Sequence, residues 1–163
     1  MLLTYSNCKE IGDVMVIVEA SVVIKVPRKK VHDWFSDPQN LMRYDKTVWK
    51  SIKIRTREGN VVTAVQEGVI SGKSAKGTFK YTSFPPEKIE SVWSEGSYGN
   101  VKIREQPFGW VFAEATEGTK VSWLIEAKGI ACIQKVLGSR GKTELNGIML
   151  EELKKMKATI EKG

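Results

Sequence analysis

The chain has 163 residues, of which 41% are hydrophobic and 28% charged, and its formal net charge is +7. This length and balance predict one globular domain that needs no disulfides, and they exclude a disordered chain or a bilayer-spanning helix. We read no signal peptide in residues 1–8. Cys8 and Cys132 are too far apart in sequence to indicate a disulfide framework or a metal site. We therefore predict a single cytoplasmic domain over residues 1–163, in which residues 1–15 are an extension or the start of the first strand.

The N-terminal part predicts one strand followed by two short helices. Residues 16–26 are rich in β-branched side chains and stop at Pro27, which is typical of a strand followed by a helix start. The first helix has its apolar residues at helical spacing, at Val31, Trp34 and Phe35. Asp37 and Pro38 provide an N-cap and a first-turn proline for a second helix, which should end near Asp45. The apolar residues of this second helix are Leu41, Met42 and Tyr44.

From about residue 47 to residue 128 the hydrophobic pattern alternates with a period of two, and turn residues recur about every 12 positions. This pattern predicts an antiparallel meander with one buried face and one exposed face. On its first strand, one register carries Trp49, Lys53, Arg55 and Arg57, and we predict that this register faces outward. Residues 98–106 are predicted to be an early, bulged part of the Trp110 strand.

The last thirty residues return to the helical period. The apolar stripe consists of Leu145, Met149, Leu153, Met156 and Ile160. The charged residues placed off this stripe are Glu151, Glu152, Lys154, Lys155 and Lys157. Ile130, Ile133 and Leu137 continue the stripe backwards. Gly138 and Gly141 interrupt it, so that either the helix breaks there or the glycines permit a close approach.

Two segments give the chain a family resemblance. The segment ASVVIKVPRKKVHDWFSDPQNLMRYD, residues 20–45, combines a strand, a proline, a Val-x-x-Trp pattern and Asp-Pro, and EGTKVSW, residues 117–123, forms a late turn. From about Val16 onwards the chain resembles the START-like (SRPBCC) superfamily, the polyketide cyclase/dehydrase and lipid-transport group with its birch-pollen-allergen-like proteins. The resemblance implies an α+β helix-grip fold, in which a curved antiparallel sheet of about seven strands wraps around a long C-terminal helix. Two short helices follow the first strand, and a cavity lies between sheet and helix.

Members of this superfamily include carriers of lipids and quinones, aromatase/cyclases and plant hormone receptors, so the fold alone does not determine the ligand. A concave aromatic wall that one helix cannot fill predicts a binding cavity. The side chains predicted to line it are Phe79, Tyr81, Trp93, Trp110, Phe112, Trp123, Leu145 and Met149. Any one of them alone is more often a core residue, so the prediction depends on the set. We predict that the chain binds or transports a lipid, an isoprenoid quinone or a polyketide-like molecule, without a cofactor or a metal.

The alternative is an enzyme of the cyclase/dehydratase kind that acts in the same cavity. Its candidate acids or bases are Glu67 and Tyr81. Glu67 shares a face with Val61, Thr63, Val65 and Val69, so an inward face would bury its carboxylate. We favour the opposite, that the strand ends or bulges near Gly68 and turns Glu67 to solvent, and Glu95 raises the same question. His32, the only histidine, is predicted to lie on the surface.

The positive charge supports a third hypothesis, a basic surface that binds nucleic acid or anionic lipid. Lys53, Arg55 and Arg57 with Trp49 form only a short basic and aromatic row, and a solvated sheet face explains it equally well. We therefore predict no nucleic-acid partner and leave a transient contact with a membrane surface open. The sequence assigns no oligomeric state.

Overall fold

The computed structural model describes residues 16–127 and 141–163. The elements in chain order are β1 Val16–Ile24, α1 Arg28–Ser36, a 3-10 turn Pro38–Asn40, α2 Leu41–Tyr44, β2 Trp49–Glu58, β3 Val61–Ile70, β4 Lys73–Phe84, β5 Lys88–Tyr98, β6 Val101–Ala115, β7 Gly118–Ala127 and α3 Gly141–Lys162. The seven strands form one antiparallel sheet in the order β1-β7-β6-β5-β4-β3-β2. This arrangement confirms the predicted α+β helix-grip fold. The predictions for residues 1–15, for both cysteines and for residues 130–138 lie outside the described residues.

The two short helices begin where local chemistry favours them. Pro27 precedes α1, and its carbonyl oxygen accepts the first helical hydrogen bond from the Val31 amide at 3.2 Å. The Asp37 carboxylate accepts a hydrogen bond from the Gln39 amide at 3.1 Å, with Pro38 at the first position. The Asp-Pro start is therefore confirmed, although the chain forms a 3-10 turn there before α2.

The long helix α3 packs beside β1, at one edge of the sheet. Its side chains bond the β1 backbone: Asn146 Nδ2 donates to the Glu19 carbonyl at 2.5 Å, and Lys157 Nζ donates to the Val23 carbonyl at 2.8 Å. The helix thus covers part of a strand edge that would otherwise offer unpaired backbone groups. The predicted apolar stripe is confirmed, since Met149, Leu153, Met156 and Ile160 are buried and Leu145 is half-buried. Helix α3 begins at Gly141, while Gly138 lies outside the described part of the chain.

The prediction that His32 lies on the surface is wrong. The buried face of α1 consists of Val31, His32 and Phe35, and the His32 side chain is only 2% exposed. Its ring meets Phe112 of β6 edge-on, with 5.6 Å between the ring centroids. The face of α1 that packs against the sheet therefore includes His32 in addition to the apolar residues that the spacing indicated.

The prediction that Trp49 faces outward is also wrong. Strand β2 changes register against β3 between Trp49 and Ser51, so Trp49 turns to the concave face while Lys53, Arg55 and Arg57 remain exposed. Trp49 is 8% exposed and packs edge-on against Phe79, with ring centroids 5.7 Å apart. A second register shift, between Ile54 and Thr56, also divides the basic row, because Lys53 pairs with Val65 of the convex register and Arg57 with Val62 of the concave register.

The alternating valines of β3 predicted that their face of the strand points inward. The structure turns the other face inward. Ala64, Gln66 and Gly68 are buried, whereas Glu67 is exposed. The strand continues without a register shift to Ile70, so Glu67 reaches solvent through ordinary alternation and not through a break near Gly68. Glu95 of β5 is exposed as well.

The irregularity predicted for residues 98–106 lies inside β6. Strand β5 extends to Tyr98, a turn follows, and β6 begins at Val101. Glu105 has a φ of 49°, a left-handed conformation that interrupts the strand. The residues of β6 before Phe108 pair with β5, and from Phe108 onwards the strand also pairs with β7.

Candidate ligand-binding cavity

A cavity of about 230 Å³ lies between the concave face of the sheet and α3. Nine of its nineteen lining residues are aromatic: Tyr44, Trp49, Phe79, Tyr81, Trp93, Tyr98, Phe108, Trp110 and Trp123. The remaining lining residues are Leu41, Val48, Ile70, Ile103, Gln106, Ile125, Leu145, Ile148, Glu152 and Met156. Only Gln106 and Glu152 of this second group are polar, so the wall is suited to an apolar molecule.

Most of the side chains that we predicted from the sequence to line the cavity do border it. The six that do are Phe79, Tyr81, Trp93, Trp110, Trp123 and Leu145. Phe112 and Met149 do not border it. Phe112 packs against Phe35 beneath α1, with ring centroids 5.3 Å apart, and Met149 is 1% exposed in the core under α3. The two residues therefore belong to the hydrophobic core and not to the cavity wall.

Ring pairs within and between strands β4, β5 and β6 build the aromatic wall. Trp93 of β5 stacks on Phe79 of β4 with 4.9 Å between ring centroids, and Tyr81 stacks on Trp110 at 6.4 Å. Phe108 stands perpendicular to Trp110 at 5.5 Å. Such ring pairs stabilise a sheet beyond simple burial, so the wall is preorganised.

Two facing glycines make room for Trp93. Gly77 of β4 pairs with Gly96 of β5, with φ angles of 155° and 158°. A Cβ atom on Gly77 would lie 2.3 Å from Trp93 Nε1, and one on Gly96 would lie 2.7 Å from it. The Trp93 indole donates a hydrogen bond to the Lys76 carbonyl at 3.2 Å. The glycine pair and this hydrogen bond together fix the position of the ring.

Tyr81 is a hydrogen-bond donor whose proton is already engaged. Its hydroxyl donates to Gln66 Oε1 of β3, and both side chains are buried. Burial raises the pKa of Tyr81 well above its ordinary value. The phenol therefore stays protonated at neutral pH and is poorly suited to act as a base.

Glu152 is the lining residue that the sequence analysis placed off the apolar stripe. It is 9% exposed, and one of its carboxylate oxygens, Oε1, lies 3.3 Å from Lys155 Nζ. The other oxygen, Oε2, is buried without a hydrogen-bond partner among the described residues. Spacing alone contained a signal for this position, because residue 152 follows Met149 by three positions and precedes Met156 by four.

Lys155 links Glu152 to the loop that follows α2. Its ammonium group lies 2.8 Å from Asp45 Oδ2, and its hydrogen bond, followed by those of Thr47, lowers the pKa of Asp45 to about 2. Burial, followed by the neighbouring Glu152 carboxylate, raises the pKa of Tyr44. Glu152, Lys155 and Asp45 therefore form a charged cluster beside the cavity, of which only Glu152 lines the wall.

Glu67, the other acid or base candidate, lies on the convex face of the sheet and does not line the cavity. In residues 16–127 and 141–163, no group of three His, Cys, Asp or Glu side chains is placed to hold a metal ion. The helices of the described segments include none that is long and apolar enough to cross a membrane.

The fold and its aromatic cavity define a helix-grip protein, and the comparisons with known proteins specify the family. A family model described as polyketide cyclase / dehydrase and lipid transport matches residues 15–161, so the chain belongs to this family. This confirms the resemblance seen in the sequence. A search of curated proteins gives no match.

Solved structures share the fold at low sequence identity. TTHA0849 from Thermus thermophilus is 20% identical with a TM-score of 0.71, over 89% of this chain and 97% of that one. Ara h 8.0201 is 13% identical with a TM-score of 0.68, over 92% of this chain and 100% of that one. The di-domain ARO/CYC BexL from the BE-7585A biosynthetic pathway is 19% identical with a TM-score of 0.62, over 96% of this chain. The match covers 50% of BexL.

Proposed function

We propose that this protein binds an apolar small molecule in the cavity between the sheet and α3. The observation that carries the proposal is the composition of the wall, in which seventeen of nineteen lining residues are aromatic or aliphatic. A ligand that covers this apolar wall removes it from water, which favours binding by about 25 cal/mol per Å² of apolar area. The family description names lipid transport and polyketide cyclases, so candidate ligands are lipids and polyketide-like molecules. An isoprenoid quinone, predicted from the sequence, is the third candidate.

Titration with the fluorescent probe 1-aminoanthracene tests this proposal. Ile125 of β7 lines the cavity and is half-buried, so Ile125→Trp should fill part of the space. We expect the wild-type chain to bind one probe molecule and Ile125→Trp to weaken binding at least about tenfold, or about 1.4 kcal/mol.

Leu124→Trp is the matched control, because Leu124 is the adjacent residue, is also half-buried and does not line the cavity. This variant should bind the probe within about twofold of the wild type, which is about 0.4 kcal/mol. Thermal melts of both variants establish that they are folded. A wild-type chain that does not bind the probe, or equal weakening by both substitutions, would show that the proposal is wrong.

The cyclase/dehydratase alternative depends on Glu152, because Glu67 is outside the cavity and the Tyr81 hydroxyl is already donated to Gln66. A carboxylate with an unpartnered oxygen in an apolar cavity is suited to remove a proton from a carbon next to a ligand carbonyl. Proton removal of this kind is an early step in cyclisation by aldol chemistry.

Deuterium incorporation into the methyl group of 1-acetonaphthone in D₂O tests the role of Glu152. If the alternative holds, the protein accelerates this exchange and Glu152→Gln slows it about 100-fold or more, while Glu151→Gln, the exposed neighbour on α3, leaves it unchanged. Exchange no faster than in acetate buffer would exclude Glu152 as a base for such carbonyl compounds.

A further inference from the structure

Two indole N–H groups of the cavity wall have no hydrogen-bond partner among the described residues. Trp110 of β6 and Trp123 of β7 are paired directly across the strands, and both side chains line the cavity. Their ring centroids are 6.0 Å apart, with 35° between the ring planes. Both Nε1 atoms are shielded from solvent, so neither can bond to bulk water instead.

Two neighbouring donors in the wall, by contrast, have hydrogen-bond acceptors within the protein. Trp93 donates its indole N–H to the Lys76 carbonyl, and Tyr81 donates its hydroxyl to Gln66. The rings of Phe35, Phe108 and Tyr81 pack around Trp110. The two phenyl rings carry no acceptor atom, and the Tyr81 ring stacks on the indole. An indole N–H is only a donor, and a buried donor without an acceptor is costly. These two N–H groups therefore require a hydrogen-bond acceptor.

We propose that Trp110 and Trp123 form a subsite for a carbonyl oxygen on the apolar ligand. The inference rests on the proposed function and adds the polar feature that the ligand carries. A carbonyl oxygen has two lone pairs and accepts N–H groups at about 2.9 Å, so a carbonyl can satisfy indole donors of this kind. Trp110 and Trp123 are cross-strand neighbours in the wall, so both unpartnered donors belong to the same part of the cavity. A conjugated ketone or a quinone fits both the aromatic wall and the subsite.

Two probes of the same shape separate the hydrogen bonds from the apolar contacts. 1-Acetonaphthone carries a carbonyl oxygen, and 1-isopropenylnaphthalene replaces this oxygen with a CH₂ group. Affinities are measured by quenching of the tryptophan fluorescence or by calorimetry, for the wild-type chain and the variants Trp110→Phe and Trp123→Phe. Each variant keeps an aromatic ring and removes one N–H group.

We expect the wild-type chain to bind 1-acetonaphthone more tightly than the olefin. Each of the two variants should lose about three- to tenfold in affinity for the ketone and at most about twofold in affinity for the olefin. Trp93→Phe is the matched control, because this ring lines the same cavity while its N–H is already bonded to Lys76. It should change both affinities by the same factor.

An independent readout is the carbonyl stretching frequency of bound 1-acetonaphthone. It should lie lower in the wild-type complex than in the complexes of Trp110→Phe and Trp123→Phe. If the wild type binds both probes equally, or if each variant weakens both probes alike, the carbonyl subsite is wrong and the apolar cavity stands. If the wild type binds neither probe, the proposed function is wrong as well.

Discussion

His32 packs edge-on against Phe112 in the interior, and its protonation is therefore linked to folding. Burial lowers the pKa of His32 below its ordinary value of 6.5, and the neighbouring Asp33 only partly offsets this. The unfolded chain thus binds a proton more readily than the folded chain does. Stability contributed by the neutral ring is present above pH 6.5 and is lost as the pH falls from 6.5 towards the lowered pKa.

This linkage predicts a specific difference between the wild type and His32→Gln. Between pH 7.5 and pH 5 the wild type should lose more free energy of unfolding than the variant, by at most about 1.4 kcal/mol per pH unit, the limit for one proton. Urea denaturation at a series of pH values measures it. A difference between the two proteins that stays constant with pH would contradict the prediction.

Single residues also show which parts of the site the sequence can predict. Phe79 and Tyr81 are predictable because Lys76, Thr78 and Lys80 alternate with them and leave one choice of buried face. Trp49 is not predictable, because one register shift in β2 reverses its direction. Glu152 was missed because we assigned charged residues to the exposed side of the helix, despite the helical spacing of this position. A carboxylate can nevertheless border a cavity when a cation such as Lys155 lies beside it.

At the scale of elements, β3 shows why hydrophobicity alone can select the wrong face. Its alternating valines Val61, Val65 and Val69 lie on the convex side, while the concave side carries Ala64, Gln66 and Gly68. A Cβ atom on Gly68 would lie 2.1 Å from the Val48 carbonyl oxygen and 3.0 Å from the Trp49 ring. Ala64 and Gly68 are small because neighbouring strands supply large rings beside them, and such compensation is invisible within one strand.

Helix α3 contains a glycine whose replacement should stabilise the protein. Gly147 is exposed, and an added Cβ atom would meet no other atom within 4 Å. Gly147→Ala should therefore raise the free energy of unfolding by about 0.5–1 kcal/mol, through the lower conformational entropy of the unfolded chain. The melting temperature should rise by about 2–4 °C for each kcal/mol.

Thermal and urea denaturation measure this change. Gly68→Ala is the opposing control, since its Cβ would overlap the Val48 carbonyl oxygen and the substitution should destabilise the protein. Destabilisation by Gly147→Ala, or a neutral effect of Gly68→Ala, would contradict the packing described for α3 and β3.

At the scale of the whole molecule, the two edges of the sheet are protected in different ways. Helix α3 covers the β1 edge with side-chain hydrogen bonds from Asn146 and Lys157. The opposite edge, β2, carries the exposed Lys53, Arg55 and Arg57, and charged residues on an edge strand discourage pairing with another chain. This role gives the exposed basic residues of β2 a structural explanation.

The fold was predictable as a whole, whereas the cavity was predictable only in outline. The order of strand, short helices, meander and long helix follows from periodicities of about 2 and 3.6 residues. The cavity instead depends on how many rings the strands turn inward and on where α3 lies, over β1 at the sheet edge. These are tertiary quantities, which is why Phe112 and Met149 fell in the core and Phe108 in the wall.

The central claim is that an apolar molecule binds between the sheet and α3, and methyl NMR tests its location directly. With isoleucine methyl groups labelled with ¹³C, titration with 1-aminoanthracene should shift the signals of Ile70, Ile103, Ile125 and Ile148, which line the cavity. The signals of Ile17 and Ile24, which do not line it, should stay in place. Shifts confined to Ile17, or no shifts at saturating probe, would contradict the claim.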